Sequence, residues 1–335
     1  MRHSEAVLDV SVVMPAYNRS ALITRSLDSI LHRRRPREII VVDDASSDDT
    51  AEQARRWGER RGFPVTVERL AKNGGAAAAR NRGIELATST YVAFVDSDDE
   101  HLPGALERLV AALDQHPEAV LSFGDATKVT PTQTISGAMF RRRVDLDRVA
   151  DPGDPQLSTY RLRDAKSTLL RASLVPTSAS CFRRADALAV GGMPTQFRTG
   201  EDWLFWLKLT ERGAFVLVPD DLALHYRHSE NLTHPGSAAS TSREKLLGYL
   251  SLLDGSAGIS IDRAQRAAIE AMVREREALL RYQASRLGLR GYLRHMLGIP
   301  GHSKGAALGS TIANPKSMLR ALVSTFTRLP APMAE

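Results

Sequence analysis

Three carboxylates fall within four positions at Asp96-Ser97-Asp98-Asp99, directly after the apolar run Tyr91-Val92-Ala93-Phe94-Val95. Carboxylates this close repel one another unless positive charge sits among them. A hard divalent cation such as Mg²⁺ or Mn²⁺ supplies that charge, taking one or two carboxylates together with the phosphates of a substrate. The bland reading is an acidic turn in which Asp99 or its neighbours cap a helix beginning near Pro103. A second acidic pair, Glu201-Asp202, stands ahead of Trp203-Leu204-Phe205-Trp206-Leu207-Lys208-Leu209, where it can cap a helix.

The acidic turn ends a strand, and other strand candidates end in the same manner. Val10 to Met14 stops at Pro15-Ala16-Tyr17-Asn18, Glu38 to Val42 at Asp43-Asp44, and Val65 to Leu70 runs to Asn73-Gly74-Gly75. Between them lie helical patterns: Leu22, Ile23, Leu27, Ile30 and Leu31 after a Ser20 cap; Ala51, Ala54 and Trp57 after Ser46, Ser47 and Asp48; and an alanine-rich stretch carrying Arg80 and Asn81. A helix from Pro103 to Leu113 and a strand from Ala119 to Phe123 complete the series. Continuous apolar strands alternating with helices predict an α/β fold, a mostly parallel sheet covered on both faces. Ligands of such sheets bind outside the carboxyl ends of the strands, so all four termini share one rim.

Each rim residue has two readings. Tyr17 can stack on a flat heterocycle or sit as a surface aromatic. Asp44 can accept hydrogen bonds from a base or ribose, or cap the next helix. Gly74-Gly75 can open a helix whose N–H groups face a phosphate, although the spacing matches neither a dinucleotide nor a Walker-type loop. Arg80 and Asn81 can brace the acidic turn or lie solvated.

Composition sets outer bounds. The chain has 335 residues, of which 43% are hydrophobic, and a formal charge of +6, which suits acidic partners without choosing among them. The lone Cys181 excludes an internal disulfide framework and fits a reducing compartment. No secretory signal is evident at the N-terminus, so a cytoplasmic location is expected. No apolar run reaches the roughly 18 to 20 residues that span a bilayer.

Taken together, Val12-Val13-Met14-Pro15-Ala16-Tyr17-Asn18, Val41 to Thr50, Gly74-Gly75 through Ala79-Arg80-Asn81, and Phe94 to Asp99 resemble the family 2 glycosyltransferases. The resemblance continues through Ser178 to Phe182, Gly191-Gly192-Met193 and Gly200-Glu201-Asp202, and covers about residues 9 to 235. It implies a GT-A fold, a Rossmann-like sheet with helices on both faces, and inverting transfer of a sugar from a nucleotide diphosphate donor, UDP-linked by expectation, to a hydroxyl acceptor on a glycan or lipid-linked carrier. It further implies that Pro15, Ala16, Tyr17, Asn18, Asp44, Gly74, Arg80, Asp96 and Asp98 hold the donor nucleotide. Asp98, Asp99 and His228 are the implied ligands of Mn²⁺ or Mg²⁺, and Asp202, with Glu201 beside it, the implied catalytic base. The process implied is cell-surface polysaccharide or glycolipid assembly. Two departures affect the acceptor side: Met193-Pro194-Thr195-Gln196 follows Gly191-Gly192 where an aromatic and an acid are usual, and Trp203-Leu204 follows the acidic pair where a further acid often stands.

Two other classes compete. A sugar-nucleotide-forming nucleotidyltransferase would carry a glycine-rich loop with arginine and lysine after the first strand, where this chain has Pro15-Ala16-Tyr17-Asn18. A non-catalytic GT-A-fold binding protein would be expected to have lost the acidic turn or Asp202. The expected division is 1–125 for the donor half, 126–235 for the acceptor half with the base, and 236–335 for a helical extension. In that extension basic and apolar residues interleave over Leu289 to Ile299 and Met318 to Phe326, which suits peripheral contact with the inner membrane face, packing on the domain, or an oligomer. Arg141-Arg142-Arg143 can meet an acidic carrier or be a solvated face. No nucleic-acid partner is expected.

Overall fold

In a computed structural model of the protein, the residues described are 7–32, 34–152, 158–227, 238–296, 299 and 315–326. They divide into two compact units, 1–227 and 228–335.

The first unit is built on one sheet. Strands β1 (Leu8–Ala16), β2 (Pro36–Asp43), β3 (Val65–Arg69) and β4 (Tyr91–Phe94) run parallel in the order β3-β2-β1-β4. Helices α1 (Ile23–Asp28), α2 (Thr50–Arg61) and α3 (Ala76–Leu86) make the crossovers. β1 and the Ile39–Val42 stretch of β2 are buried on both faces, which is why their sequences show no alternation of apolar and polar residues. After β4 come the two-residue β5 (Glu100–His101), α4 (Ala105–Gln115) and the long β6 (Ala119–Val129). The division expected at position 125 falls inside β6, so the two expected halves share one sheet.

Beyond β4 the sheet is mixed. The order continues β10 (Ser180–Arg183), β6, β11 (Ala214–Tyr226), β9 (Tyr160–Leu162), β8 (Ala150–Pro152), with β7 (Thr134–Ile135) paired to β6 and β5 to β11. β10 is antiparallel to both β4 and β6, whereas β11 returns parallel to β6. Short helices α5 (Leu146–Val149), α6 (Ala165–Arg171) and α7 (Arg184–Ala189) lie in the connections, and α8 (Glu201–Leu209) carries the second acidic pair.

An aromatic cluster fixes α8 on this sheet. Phe94 of β4 and Phe182 of β10 lie 5.0 Å apart between ring centroids, and Trp206 of α8 lies 6.3 Å and 6.0 Å from them. Phe205 adds contacts of 5.5 Å to Phe182 and 5.0 Å to Trp206. Each such pair contributes about 0.5–1.5 kcal/mol beyond area burial, and together they set the base of α8 against the end of β4.

The expected Ser20 cap is not used: α1 begins at Ile23 with Leu22 as its N-cap, and the Ser20 N–H donates to Asp48 Oδ2 at 3.1 Å. The second unit is helical, with α9 (Ala238–Leu253), α10 (Arg263–Ser285), α11 (Gly288–Met296) and α12 (Pro315–Phe326). Leu246, Leu280, Ala284, Tyr292, Met296 and Ala321 form its core. No helix among the described residues is long and apolar enough to cross a membrane.

Candidate active site

The carboxyl ends of β1, β2 and β4 meet as parallel strands must, and side chains lace their loops together. Pro15 and Ala16 are the last residues of β1, buried and in register with Val42 and Asp43. Tyr17 next to them is 46% exposed, a large ring left at the rim. Asn18 adopts a positive φ of 52° and accepts the Ser47 N–H on Oδ1 at 2.8 Å, while its own N–H donates to Ser46 Oγ at 2.9 Å. Asp44 is buried, and its two oxygens accept the Gly74 and Gly75 N–H groups at 2.7 and 2.8 Å. Burial raises its pKa despite those bonds. The Gly74-Gly75 amides that could face a phosphate are therefore directed at Asp44, and Asp44 does not cap α2. Gly75 holds φ +84°, a conformation that suits glycine.

In the Asp96–Asp99 turn the three carboxylates diverge. Asp96, with 27% of its side chain exposed, accepts Arg80 on Oδ1 at 2.6 Å. Asp98, at 15%, faces Arg19 Nε at 3.4 Å. Asp99, at 3%, receives Ser178 Oγ at 2.6 Å and His225 Nδ1 at 3.1 Å on one oxygen, and the Tyr226 N–H at 3.2 Å on the other. Ser178 also accepts the Asp96 N–H at 3.1 Å. Burial works against protonation of His225, but the hydrogen bond and charge of Asp99 outweigh it and the His225 pKa is raised. Asp99 thus ties the turn to β11 and does not cap α4, whose N-cap is Gly104. His228 lies outside the described residues.

Arg80 connects this turn to α8. Its buried guanidinium donates through one nitrogen to Asp96 and through another to Glu201 Oε1 at 3.0 Å. Glu201 is buried, and desolvation together with the adjacent Asp202 outweighs Arg80, pushing its pKa up to about 7. Asp202 is half-buried, its Oδ1 taken by the Trp203 N–H at 2.7 Å and its Oδ2 facing the Thr177 hydroxyl at 3.5 Å. Asn81 does something else: its amide pairs with both backbone groups of Met193 at 2.8 Å, closing the Gly191-Gly192-Met193 loop. A Cβ on Gly192 would meet Asn81 Oδ1 at 2.5 Å, which explains the glycine there. A separate cleft of about 400 Å³, lined by Leu8, Thr90, Tyr91 and Asp114 among others, lies at the opposite, amino ends of β1 and β4.

Residues 11–168 match the family profile described as Glycosyl transferase family 2. An uncharacterized Mycobacterium tuberculosis protein is 34% identical over 228 residues, which are 66% of this chain and 67% of that protein. The chain belongs to glycosyltransferase family 2. As a member it is an inverting glycosyltransferase. The poly(ribitol-phosphate) beta-glucosyltransferase of Bacillus spizizenii is 38% identical over 223 residues, 65% of this chain but 32% of that longer protein. The crystal structure of Staphylococcus aureus TarS 1-349 in complex with UDP-GlcNAc superposes with a TM-score of 0.62 at 20% identity, covering 94% of this chain and 89% of that one, and shares its fold.

For this glycosyltransferase the donor set can be tested against a divalent cation. Among the described residues no three His, Cys, Asp or Glu side chains converge on one point. A closed protein cage is absent there, but a cation held by one or two carboxylates and completed by substrate phosphates needs none. Asp98 and Asp96 fit that description because part of each side chain is exposed at the rim; Asp99, with 3% of its side chain exposed, already accepts from Ser178, His225 and the Tyr226 amide. Arg19, Ser178 and His225 were not singled out by spacing. They reach the turn from distant positions, Ser178 across 79 residues and His225 across 126.

Proposed function

We propose that this enzyme moves a sugar from a UDP-linked donor to a hydroxyl of a cell-surface polysaccharide, with Asp202 as general base and a divalent metal at Asp98. The observation that carries this reading is the Arg80 bridge, which joins the donor-side turn at Asp96 to Glu201, the immediate neighbour of Asp202. The similarity to a poly(ribitol-phosphate) beta-glucosyltransferase and the fold shared with a protein solved with UDP-GlcNAc support the donor and acceptor classes.

The roles follow from the environment of each side chain. Tyr17 is exposed beside the buried Ala16 and offers a ring for base stacking, and Asp44, with lone pairs beyond the two glycine amides, accepts from the nucleoside. Asp96 and Asp98 face the diphosphate. A bound Mn²⁺ or Mg²⁺ would supply charge that stabilises the leaving diphosphate without a proton. The bond from the anomeric carbon to the diphosphate breaks with its electron pair leaving on the nucleotide, while the acceptor oxygen forms the new bond from the opposite face. The hydroxyl proton passes to Asp202 Oδ2. Asp202 suits this task because it is half-buried and reachable beside Thr177, whereas Glu201 is buried against Arg80 and serves to position.

Thermal shift with a panel of sugar nucleotides and Mn²⁺ tests the donor, since the true donor stabilises by mass action. UDP-sugars are expected to raise Tm and excess chelator to remove both the shift and transfer. Full transfer in chelator overturns the metal, and a shift with only non-uridine donors overturns the nucleotide.

A further inference from the structure

The second unit presents apolar side chains where a water-exposed surface would not. Of the eight large hydrophobic side chains exposed among the described residues, five are Tyr282, Leu287, Leu319, Leu322 and Val323. Leu319, Leu322 and Val323 recur at i, i+3 and i+4 and so form one stripe along α12, with Leu319 63% exposed, while Ala321 turns into the core. The end of α10 adjoins this helix through the Arg320 guanidinium, 4.9 Å from the Tyr282 ring centroid, and Arg286 hydrogen-bonds the Tyr282 hydroxyl at 3.0 Å. Thr325 Oγ1 accepts the Leu289 N–H at 3.0 Å, seating α12 against the start of α11. Leu287, between α10 and α11, is 51% exposed.

The stretch of sequence that carries this surface has charge of one sign. Between Glu277 and Glu335 the sequence contains eight Lys and Arg and no Asp or Glu. Lys316, Arg320 and Arg290 are among the exposed cations of the described helices. We propose that the surface made by α12 and the α10–α11 junction docks onto an anionic lipid layer, with the leucine stripe entering the headgroup boundary and the arginines and lysines meeting lipid phosphates. Charge complementarity selects this occupant. A second copy of the chain would bring the same positive charges against these, and a nucleic acid would offer nothing to the aliphatic stripe. An interfacial helix with an apolar face and a basic flank has both terms that peripheral membrane binding needs.

Flotation of the full chain with vesicles tests the proposal independently of any sugar transfer. The chain is expected to float with vesicles of equal parts phosphatidylglycerol and phosphatidylcholine, to stay behind with phosphatidylcholine alone, and to be released by salt. Lys316→Gln and Arg290→Gln should each lower the partition coefficient by about fivefold. Leu319→Ser combined with Leu322→Ser should lower it by about tenfold or more, with unchanged circular dichroism because both side chains point away from the core. Equal flotation with neutral vesicles, or partitioning untouched by these substitutions, overturns the proposal. So does a dimer in sedimentation velocity that Leu319→Ser with Leu322→Ser converts to monomer without any vesicle binding, since a second copy would then be what covers the stripe.

Discussion

The turn after β4 and the start of α8 solve the same problem with neighbouring acids. At each place two adjacent carboxylates are split between the interior and the rim. Asp99 is buried and engaged by Ser178, His225 and the Tyr226 amide, while Asp98, with 15% of its side chain exposed, lies beside Arg19. Glu201 is buried against Arg80, while Asp202 stays accessible beside Thr177. A buried acid is retained only with partners, so the inner acid of each pair is bound into the architecture and holds its neighbour in place. The outer acid keeps part of its side chain in solvent and is the one proposed to meet substrate. Arg80 joins the two sites through Asp96 and Glu201, so they share one buried cation.

This comparison predicts opposite consequences for inner and outer residues. Asp202→Asn, an outer change on the base side, should give the largest loss of transfer, on the order of 10²–10⁴-fold, with Tm and UDP binding unchanged. A rate within a few-fold of the parent would remove Asp202 as base and break the symmetry. Asp98→Asn should come next, with transfer lowered about a hundredfold and Mn²⁺-dependent donor binding weakened, again without a drop in Tm. If Asp98→Asn binds donor and metal as the parent does, the cation lies elsewhere.

The inner residues should fail differently. Asp99→Asn replaces an acceptor-only group with one whose NH₂ must oppose either the Ser178 and His225 donors or the Tyr226 amide, at a cost of about 1–3 kcal/mol and a Tm lower by several degrees. Its transfer rate, corrected for the folded fraction, should fall less than that of Asp98→Asn. A mutant with parental Tm but abolished transfer would make Asp99 a ligand after all.

The strand ends were legible because two-sided burial leaves no alternation in β1 and β2: a continuous apolar run that stops at polar residues reads as a parallel strand and its rim. The resemblance covered the same residues and also carried Ser178 and Glu201-Asp202. Which acid of a pair lies inward was not legible, since it depends on partners brought in by tertiary structure, Ser178 and His225 for Asp99 and Arg80 for Glu201. The four-residue β10 offered too short an apolar run to reveal that it enters the sheet antiparallel between β4 and β6. Asn81, adjacent to Arg80 on α3, shows the same limit: helical spacing turns it toward the Met193 loop and away from the acidic turn. α1 starts at Ile23 with Leu22 as its N-cap, while the Ser20 N–H donates to Asp48, a pairing between two loops that local capping signals do not contain.

The smallest predicted effect concerns Glu201 and pH. Its pKa lies near 4.5 in the unfolded chain and is pushed up to about 7 in the folded one, chiefly by desolvation and then by Asp202, against the pull of Arg80. A group with a raised folded pKa favours folding fully below its unfolded value, and that contribution is lost as pH climbs through the folded value. Parental Tm minus Glu201→Gln Tm should therefore decline as pH rises from about 5 to about 8, because the glutamine variant lacks the titration but keeps an oxygen for Arg80 Nη1. Transfer by Glu201→Gln should persist at a reduced rate, as expected of a residue that positions its neighbour. A Tm difference that stays flat across this range would mean that Glu201 is ionised throughout, with Arg80 and not desolvation dominating, and the inner acid of α8 would then be a simple ion-pair partner.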